Sequence, residues 1–182
     1  MDELVDILDA DGKATGKTAL KSEAHCNGWF HPTVHIWYYT KEGLVLLQQR
    51  GHQKKTYPGH WDVSVAGHVG AGEAILDAAI RESKEEIGVQ SSPGDLRKIG
   101  VYKAVHRHGD ALTDSEFHHT FISELKVPLT ALQKQDNEVA KLELVPITTF
   151  LETIKKDIIT RNYVPHGETY YCSVMASIIK QL

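Results

Sequence analysis

Residues 67–89 constrain this chain more than any other stretch. Gly67-His68-Val69-Gly70-Ala71-Gly72-Glu73 leads into a run from Glu73 to Ile87 that contains neither proline nor glycine and ends at Gly88. Apolar residues at 75, 76, 79, 80 and 87 predict an amphipathic helix with a glycine just past its C-terminus. At about 100° per residue, Glu82 and Glu86 stand one turn apart, with Glu85 on the same side. Three carboxylates then crowd the last turns, where like charges at i,i+4 repel and the negative end of the helix dipole disfavours anions. A divalent cation removes both penalties, and hard cations such as Mg²⁺ take oxygen ligands of this kind. Glycines at 67, 70 and 72 let backbone groups approach a ligand closely. Arg81, four residues before Glu85, is placed to hold that side chain. A glycine-rich turn joined to such a helix suits a metal-bound phosphate or diphosphate.

The rest of the chain reads as strands with a few helices. A strand is expected at Leu4–Leu8, then a turn at Asp11-Gly12 and a short basic segment at Lys17–Lys21. Val34–Tyr39 and Leu44–Gln49 are β-rich runs joined by Thr40-Lys41-Glu42-Gly43, which is hairpin chemistry. Further strands are expected at Trp61–Val65, Leu96–Val105, Phe117–Leu125 and Ala140–Val145. Thr149 and Glu152 have capping-box spacing before a stripe of Phe150, Leu151, Ile154 and Ile158, and another helix is expected from Glu168 onward. Strands outnumber helices without regular alternation, which predicts an α/β fold with a mixed sheet flanked by helices rather than a doubly wound one. At roughly 100–200 residues per domain, 182 residues make one domain, with an N-terminal extension over 1–30 and C-terminal helices over 149–182.

Charge and composition narrow the partners. Twenty Lys+Arg against 24 Asp+Glu give a net charge of −4, so no basic excess is available for a nucleic-acid backbone. Apolar runs such as Leu44–Leu47 are far shorter than a membrane span needs, and the acidic start Met1-Asp2-Glu3 is unlike a signal peptide. Cys26 and Cys172 read as reduced thiols. The expectation is a cytoplasmic protein with neither nucleic acid nor membrane as partner. Eleven histidines are unusual, and several cluster: His25/His31/His35, His106/His108 and His118/His119. Clustering raises the case for metal or proton chemistry. Read alone, however, the last two groups suit strand surface or pocket lining.

Gly67-x5-Glu73-x7-Arg81-Glu82-x-x-Glu85-Glu86-x-Gly88-Val89 resembles the Nudix box, the signature of hydrolases that cleave diphosphates linked to another moiety. The resemblance implies a Nudix-type α/β/α sandwich with a mixed β-sheet. It also implies Mg²⁺ or Mn²⁺ held by Glu82, Glu85 and Glu86 with the Gly67 carbonyl, acting on a small-molecule diphosphate. Ser83 stands where the family usually has an apolar residue, for which a minor packing effect is expected. The proton acceptor is a helix glutamate or one of two loop carboxylates, Glu116 and Glu138. Homodimers are frequent in this superfamily.

A second likeness covers roughly residues 4–145. Lys21, Ala24-His25, His31, Trp37, Arg50, Lys54-Lys55, Pro58-Gly59, Trp61 and Ser64-Val65-x-Gly67-His68 are similar to type I isopentenyl-diphosphate isomerase, a Nudix-fold relative. That resemblance implies a second metal centre, for Zn²⁺ or Mn²⁺, at His25, His31, His68, Asp114 and Glu116. It implies diphosphate contacts from Lys21, Arg50, Lys54 and Lys55. The isomerase has a cysteine where this chain has Ala66, and a methyl group cannot carry a proton. The isomerase box has also lost glutamates that are intact here. Both differences point to hydrolysis, of a nucleoside diphosphate derivative or a prenyl diphosphate; the alternatives are an isomerase-like enzyme and a non-catalytic diphosphate-binding module. Trp29, Phe30, Tyr57, Trp61, Tyr163 and Tyr170 are candidate aromatics for a base or an isoprenoid chain.

Overall fold

The computed structural model describes residues 2–109, 112–156 and 162–182. A separate antiparallel hairpin of β1 (Leu4–Leu8) and β2 (Ala14–Leu20) runs into a short helix, α1 (Lys21–Asn27). Then follow β3 (His31–Tyr39), β4 (Leu44–Arg50), β5 (Trp61–Asp62), β6 (Val65–His68) and α2 (Ile75–Ile87). The chain continues through β7 (Arg97–His108), β8 (Leu112–Glu124), β9 (Val139–Pro146), α3 (Ile147–Lys156) and α4 (Glu168–Ile179).

Seven strands form one mixed sheet in the order β5-β4-β3-β8-β7, with β6 also on β3 and β9 also on β4. The β3–β8 pair is parallel and the others are antiparallel. Side chains alternate between the faces of a strand, and the core follows that alternation. Val34, Ile36, Tyr38, Leu46 and Phe121 face one way and pack with Ala78, Ala79 and Ile87 of α2. Trp37, Val45, Leu47 and Ile122 face the other way and pack with Phe150 and Ile154 of α3 and with Tyr171, Val174, Met175 and Ile178 of α4. The result is the expected three-layer α/β/α sandwich.

Several boundaries differ from the sequence reading. α1 was unforeseen, since seven residues are too few to show a helical period. The run expected at Trp61–Val65 is two short strands. α2 begins at Ile75, which leaves Glu73 in the loop, where it accepts from Gly70 N–H. α3 begins at Ile147, so Thr149 is internal and its carbonyl accepts from the Thr153 hydroxyl instead of capping the helix. Phe150 and Ile154 form the buried stripe as expected, and Ile158 lies outside the described residues. Ser83 is fully buried, and its hydroxyl donates to the Ala79 carbonyl one turn back, so the polar residue brings its own acceptor into the core.

Candidate active site

Strand register gathers the histidines. β3 beside β8 sets His31 against Glu116 and Thr33 against His118, while β6 beside β3 sets His68 against Thr33 and Ala66 against His35. β7 adds His106 opposite Asp114. The two-residue period puts all of these on the sheet face that α3 and α4 leave uncovered at this end.

His25 reaches them from α1. Its Nε2 is 3.2 Å from His31 Nε2 and 3.3 Å from His68 Nε2, and Glu116 Oε1 is 3.6 Å from both His31 and His68. One ligand atom each from His25, His31, His68 and Glu116 lie within 4.8 Å of one another. Burial holds His25 down at about 4 and His68 well below its ordinary value. Burial also presses on His31, but Glu116 outweighs it and raises that group. Glu116 is half-buried, and although desolvation works to raise it, the surrounding imidazoles keep its carboxyl well below the usual range. Asp114 stands just outside this set. Its Oδ2 accepts from His108 at 3.0 Å, while its buried Oδ1 has no hydrogen-bond partner among the described residues and lies 3.6 Å from His25 Nδ1. Burial, with Glu116 nearby, pushes Asp114 up to about 6. Three imidazoles, a carboxylate and an orphaned carboxylate oxygen fit a borderline cation such as Zn²⁺ or Mn²⁺.

The helix carboxylates meet on the other side of β6. Glu82 and Glu86 are buried, whereas half of the Glu85 side chain is exposed. Two of the three expected carboxylates therefore turn inward, and the third sits at the rim. They line a cleft with Glu3, Gly67, Lys54 and Glu138. Glu86 Oε2 accepts from Gln48 Nε2 at 2.9 Å and from Ala66 N–H at 3.2 Å. These two bonds are too few for a buried anion: burial and then the Glu82 charge push Glu86 up to about 8. Burial raises Glu82 as well, against the pull of Arg81. Gly67 is required by contact, because a Cβ there would lie 2.0 Å from Glu82 Cδ. Buried, mutually repelling oxygens on a helix end fit Mg²⁺ or Mn²⁺.

Arg81 ties the loop to the helix. Its guanidinium donates to both Glu73 oxygens at 2.9 and 2.8 Å, to Glu82 at 2.7 Å, to the His68 carbonyl at 2.9 Å and to Glu85 at 3.2 Å. The expected Arg81–Glu85 pair is present, but the bidentate Glu73 contact is the better bond.

The cations named from the sequence separate. Lys21 and Lys54 line both the cleft and the histidine cavity, with Lys54 against Glu138 and Lys21 3.0 Å from Glu3. Arg50 lines the cavity with its guanidinium engaged by Asp62 at 2.9 Å and by Thr56. Lys55 is exposed and lines neither space. Of the candidate aromatics only Tyr57 borders the cavity, held at φ 47°, a conformation that bulky residues rarely adopt. Sequence reasoning noted His35 only as a clustered histidine and missed His166 and Asp62 in this cavity. They come from β3, a loop before α4 and β5, and no local period links them.

A NUDIX domain model matches residues 29–166. An uncharacterised Nudix hydrolase of Clostridium acetobutylicum is 30% identical over 98% of each chain. A Streptomyces avermitilis protein named isopentenyl-diphosphate Delta-isomerase is 36% identical over 69% of this chain and 64% of its own length. A crystal structure from Deinococcus radiodurans superposes with a TM-score of 0.69 at 18% identity, covering 93% of this chain and 98% of that one, and shows the same fold. With the box residues gathered at one cleft and the domain matched over most of its length, this chain belongs to the Nudix hydrolase family.

Proposed function

We propose that this pyrophosphohydrolase cleaves the diphosphate bond of a small X-diphosphate whose X is hydrophilic, using Mg²⁺ or Mn²⁺ at Glu82, Glu86 and the Gly67 carbonyl, with Glu85 at the rim. The observation that carries this reading is the buried Glu82–Glu86 pair, with Glu86 held at about 8, closing on Gly67 beside Lys21 and Lys54. A bound divalent ion supplies Lewis acidity to the diphosphate oxygens and to the attacking water. The chain's own residues do the rest. Lys21 and Lys54 neutralise the diphosphate where the cleft meets the cavity, and Arg81 fixes Glu82 and the loop carbonyls.

Glu138 takes the proton from water. Glu116, expected on a loop but placed within β8, is engaged by His31, His68 and His118 and is held well below the usual range, which makes it a poor base. Glu138 borders both spaces and is within reach of Lys54. Glu138→Gln is expected to lower kcat by about 10²–10⁴-fold with KM nearly unchanged, measured by steady-state phosphate release.

The substrate class follows from the cavity across β6. Thr33, His35, Asp62, His106 and His166 line it, and the apolar contribution is confined to Ala66, Val164 and Tyr57. A prenyl chain there would offer no hydrogen bond to His106 Nε2 and His166 Nδ1, which are buried without a partner among the described residues. Nucleoside diphosphate derivatives therefore fit better than prenyl diphosphates. The isomerase reading is weakened further because Ala66 lines this space, whereas Cys26 and Cys172 line neither space. A panel assay with Mg²⁺ tests both points. Phosphate or monophosphate release from nucleoside diphosphate derivatives is expected; turnover confined to prenyl diphosphates, or allylic product from isopentenyl diphosphate, would overturn it.

The proposal includes a cytoplasmic location and a homodimer, the latter checked by light scattering. Among the described residues no helix is long and apolar enough to cross a membrane. The histidine centre at His25, His31, His68 and Glu116, with Asp114 adjoining, holds Zn²⁺ or Mn²⁺ in this reading.

A further inference from the structure

Behind the first histidine group lies another. One ring nitrogen each from His35, His118 and His166 lie within 4.8 Å of one another. Each of these rings has one nitrogen already engaged. His166 Nε2 lies 2.8 Å from Asp62 Oδ1, whose carboxylate also takes Arg50 on Oδ2. His118 Nδ1 is 2.8 Å from the Thr33 hydroxyl and 3.4 Å from Glu116 Oε2. His35 Nδ1 is 2.7 Å from Tyr170 OH, whose oxygen also accepts from Trp37 Nε1–H at 3.0 Å.

A carboxylate only accepts, so Asp62 fixes the proton of His166 on Nε2 and leaves the lone pair on Nδ1. On His118 the hydrogen-bond partner of Nδ1 is the Thr33 hydroxyl, with the Glu116 carboxylate 3.4 Å away; a proton on that nitrogen leaves the lone pair on Nε2. Those two freed atoms, His166 Nδ1 and His118 Nε2, are buried and have no hydrogen-bond partner among the described residues. Leaving buried acceptors empty is costly, and two such atoms beside a third imidazole, His35, are explained if something binds them. Metal-ligating histidines are oriented by this kind of outer hydrogen bond to a carboxylate or hydroxyl.

We propose that His35, His118 and His166 form an all-imidazole site for Zn²⁺, separate from the His25–His31–His68–Glu116 group. Imidazole suits zinc, and three protein nitrogens leave its fourth position free. His35 and His166 border the cavity, so that position faces the space assigned to X. Glu116 joins the two groups, with Oε1 toward His31 and His68 and Oε2 toward His118.

The test counts zinc on the chelator-stripped full-length chain in excess Mg²⁺ and follows histidine side-chain ¹⁵N resonances during the titration. Two equivalents are expected, one of them shifting His35, His118 and His166 together. His166→Gln should weaken that equivalent by at least about 100-fold, beyond the 10–100-fold typical of losing an outer partner, while the other equivalent remains. The wild-type resonances keep the test valid should the variant fold poorly. Shifts confined to His25, His31 and His68, whatever the zinc count, would overturn the proposal. They would leave the hydrolase reading untouched, because that rests on Glu82 and Glu86.

Discussion

Glu86→Gln should nearly abolish turnover and at the same time stabilise the metal-free protein. Glu86 is buried beside Glu82, and losing one charged ligand removes several kcal/mol of electrostatic assistance, or about 10²–10⁴ in kcat. The stability effect has the opposite sign. In the metal-free fold the Glu86 carboxyl sits at about 8, against an ordinary 4.5, so the native state holds this proton more tightly than the unfolded chain does. Its stabilising effect is full below about pH 4.5 and is lost as the pH rises through 8. An amide is neutral throughout, and its oxygen can accept from Gln48 Nε2 and Ala66 N–H as the carboxylate does. With EDTA present, the melting temperature of the variant should therefore draw level with wild type near pH 4.5 and exceed it increasingly up to pH 9. At this chain length each kcal/mol is about 2–4 °C. With Mg²⁺ present the order should reverse, since only wild type gains a full ligand set. A variant that kept wild-type turnover with Mg²⁺, or that melted lower than wild type at pH 9 in EDTA, would contradict this account. Glu85→Gln, at the exposed rim, should cost less activity than Glu86→Gln.

Gly67→Ala is the second large effect. The added methyl would stand 2.0 Å from Glu82 Cδ and 2.4 Å from its Oε1, so the carboxylate has to move by more than 1 Å. A displacement of that size at a reacting centre costs about 10² in rate. Overpacking adds about 1–3 kcal/mol of destabilisation. Gly94→Ala is the matched control, because a Cβ there meets nothing within 4 Å. Steady-state kinetics and thermal melts on the two variants separate the close contact from any general cost of removing a glycine. Equal activities would show that Glu82 has no fixed place in the reaction.

The two groups of functional residues differed in legibility. Glu82, Glu85, Glu86, Gly67 and Arg81 could be read together because a helix and its preceding loop are local, and about 100° per residue fixes which side chains share a side. The hairpin of β3 and β4 was legible for a similar reason, from a polar turn between two apolar runs. His25, His31, His68 and Glu116 became visible through a family resemblance, not through spacing. His35 and His118 were visible only as members of sequence clusters, and His166 and Asp62 were not singled out. The register of parallel β3 on β8 and of β6 on β3 brings such residues together across long stretches of chain, and no sequence period encodes a pairing between distant strands. The short α1, which delivers His25, lacked the length to show a period.

The sequence by itself determined the fold class, the helix with its anionic end and the glycine turn that serves it, since these depend on neighbours a few residues apart. Tertiary packing decided that Glu82 and Glu86 turn inward while Glu85 stays at the rim, and that Lys54 meets Glu138 while Lys55 faces water. It also decided that the histidines, carboxylates and lysines at one end of the sheet line two adjoining spaces with β6 between them. Burial is the reason: a side chain's charge and protonation depend on what the distant chain removes from water, which no local pattern records.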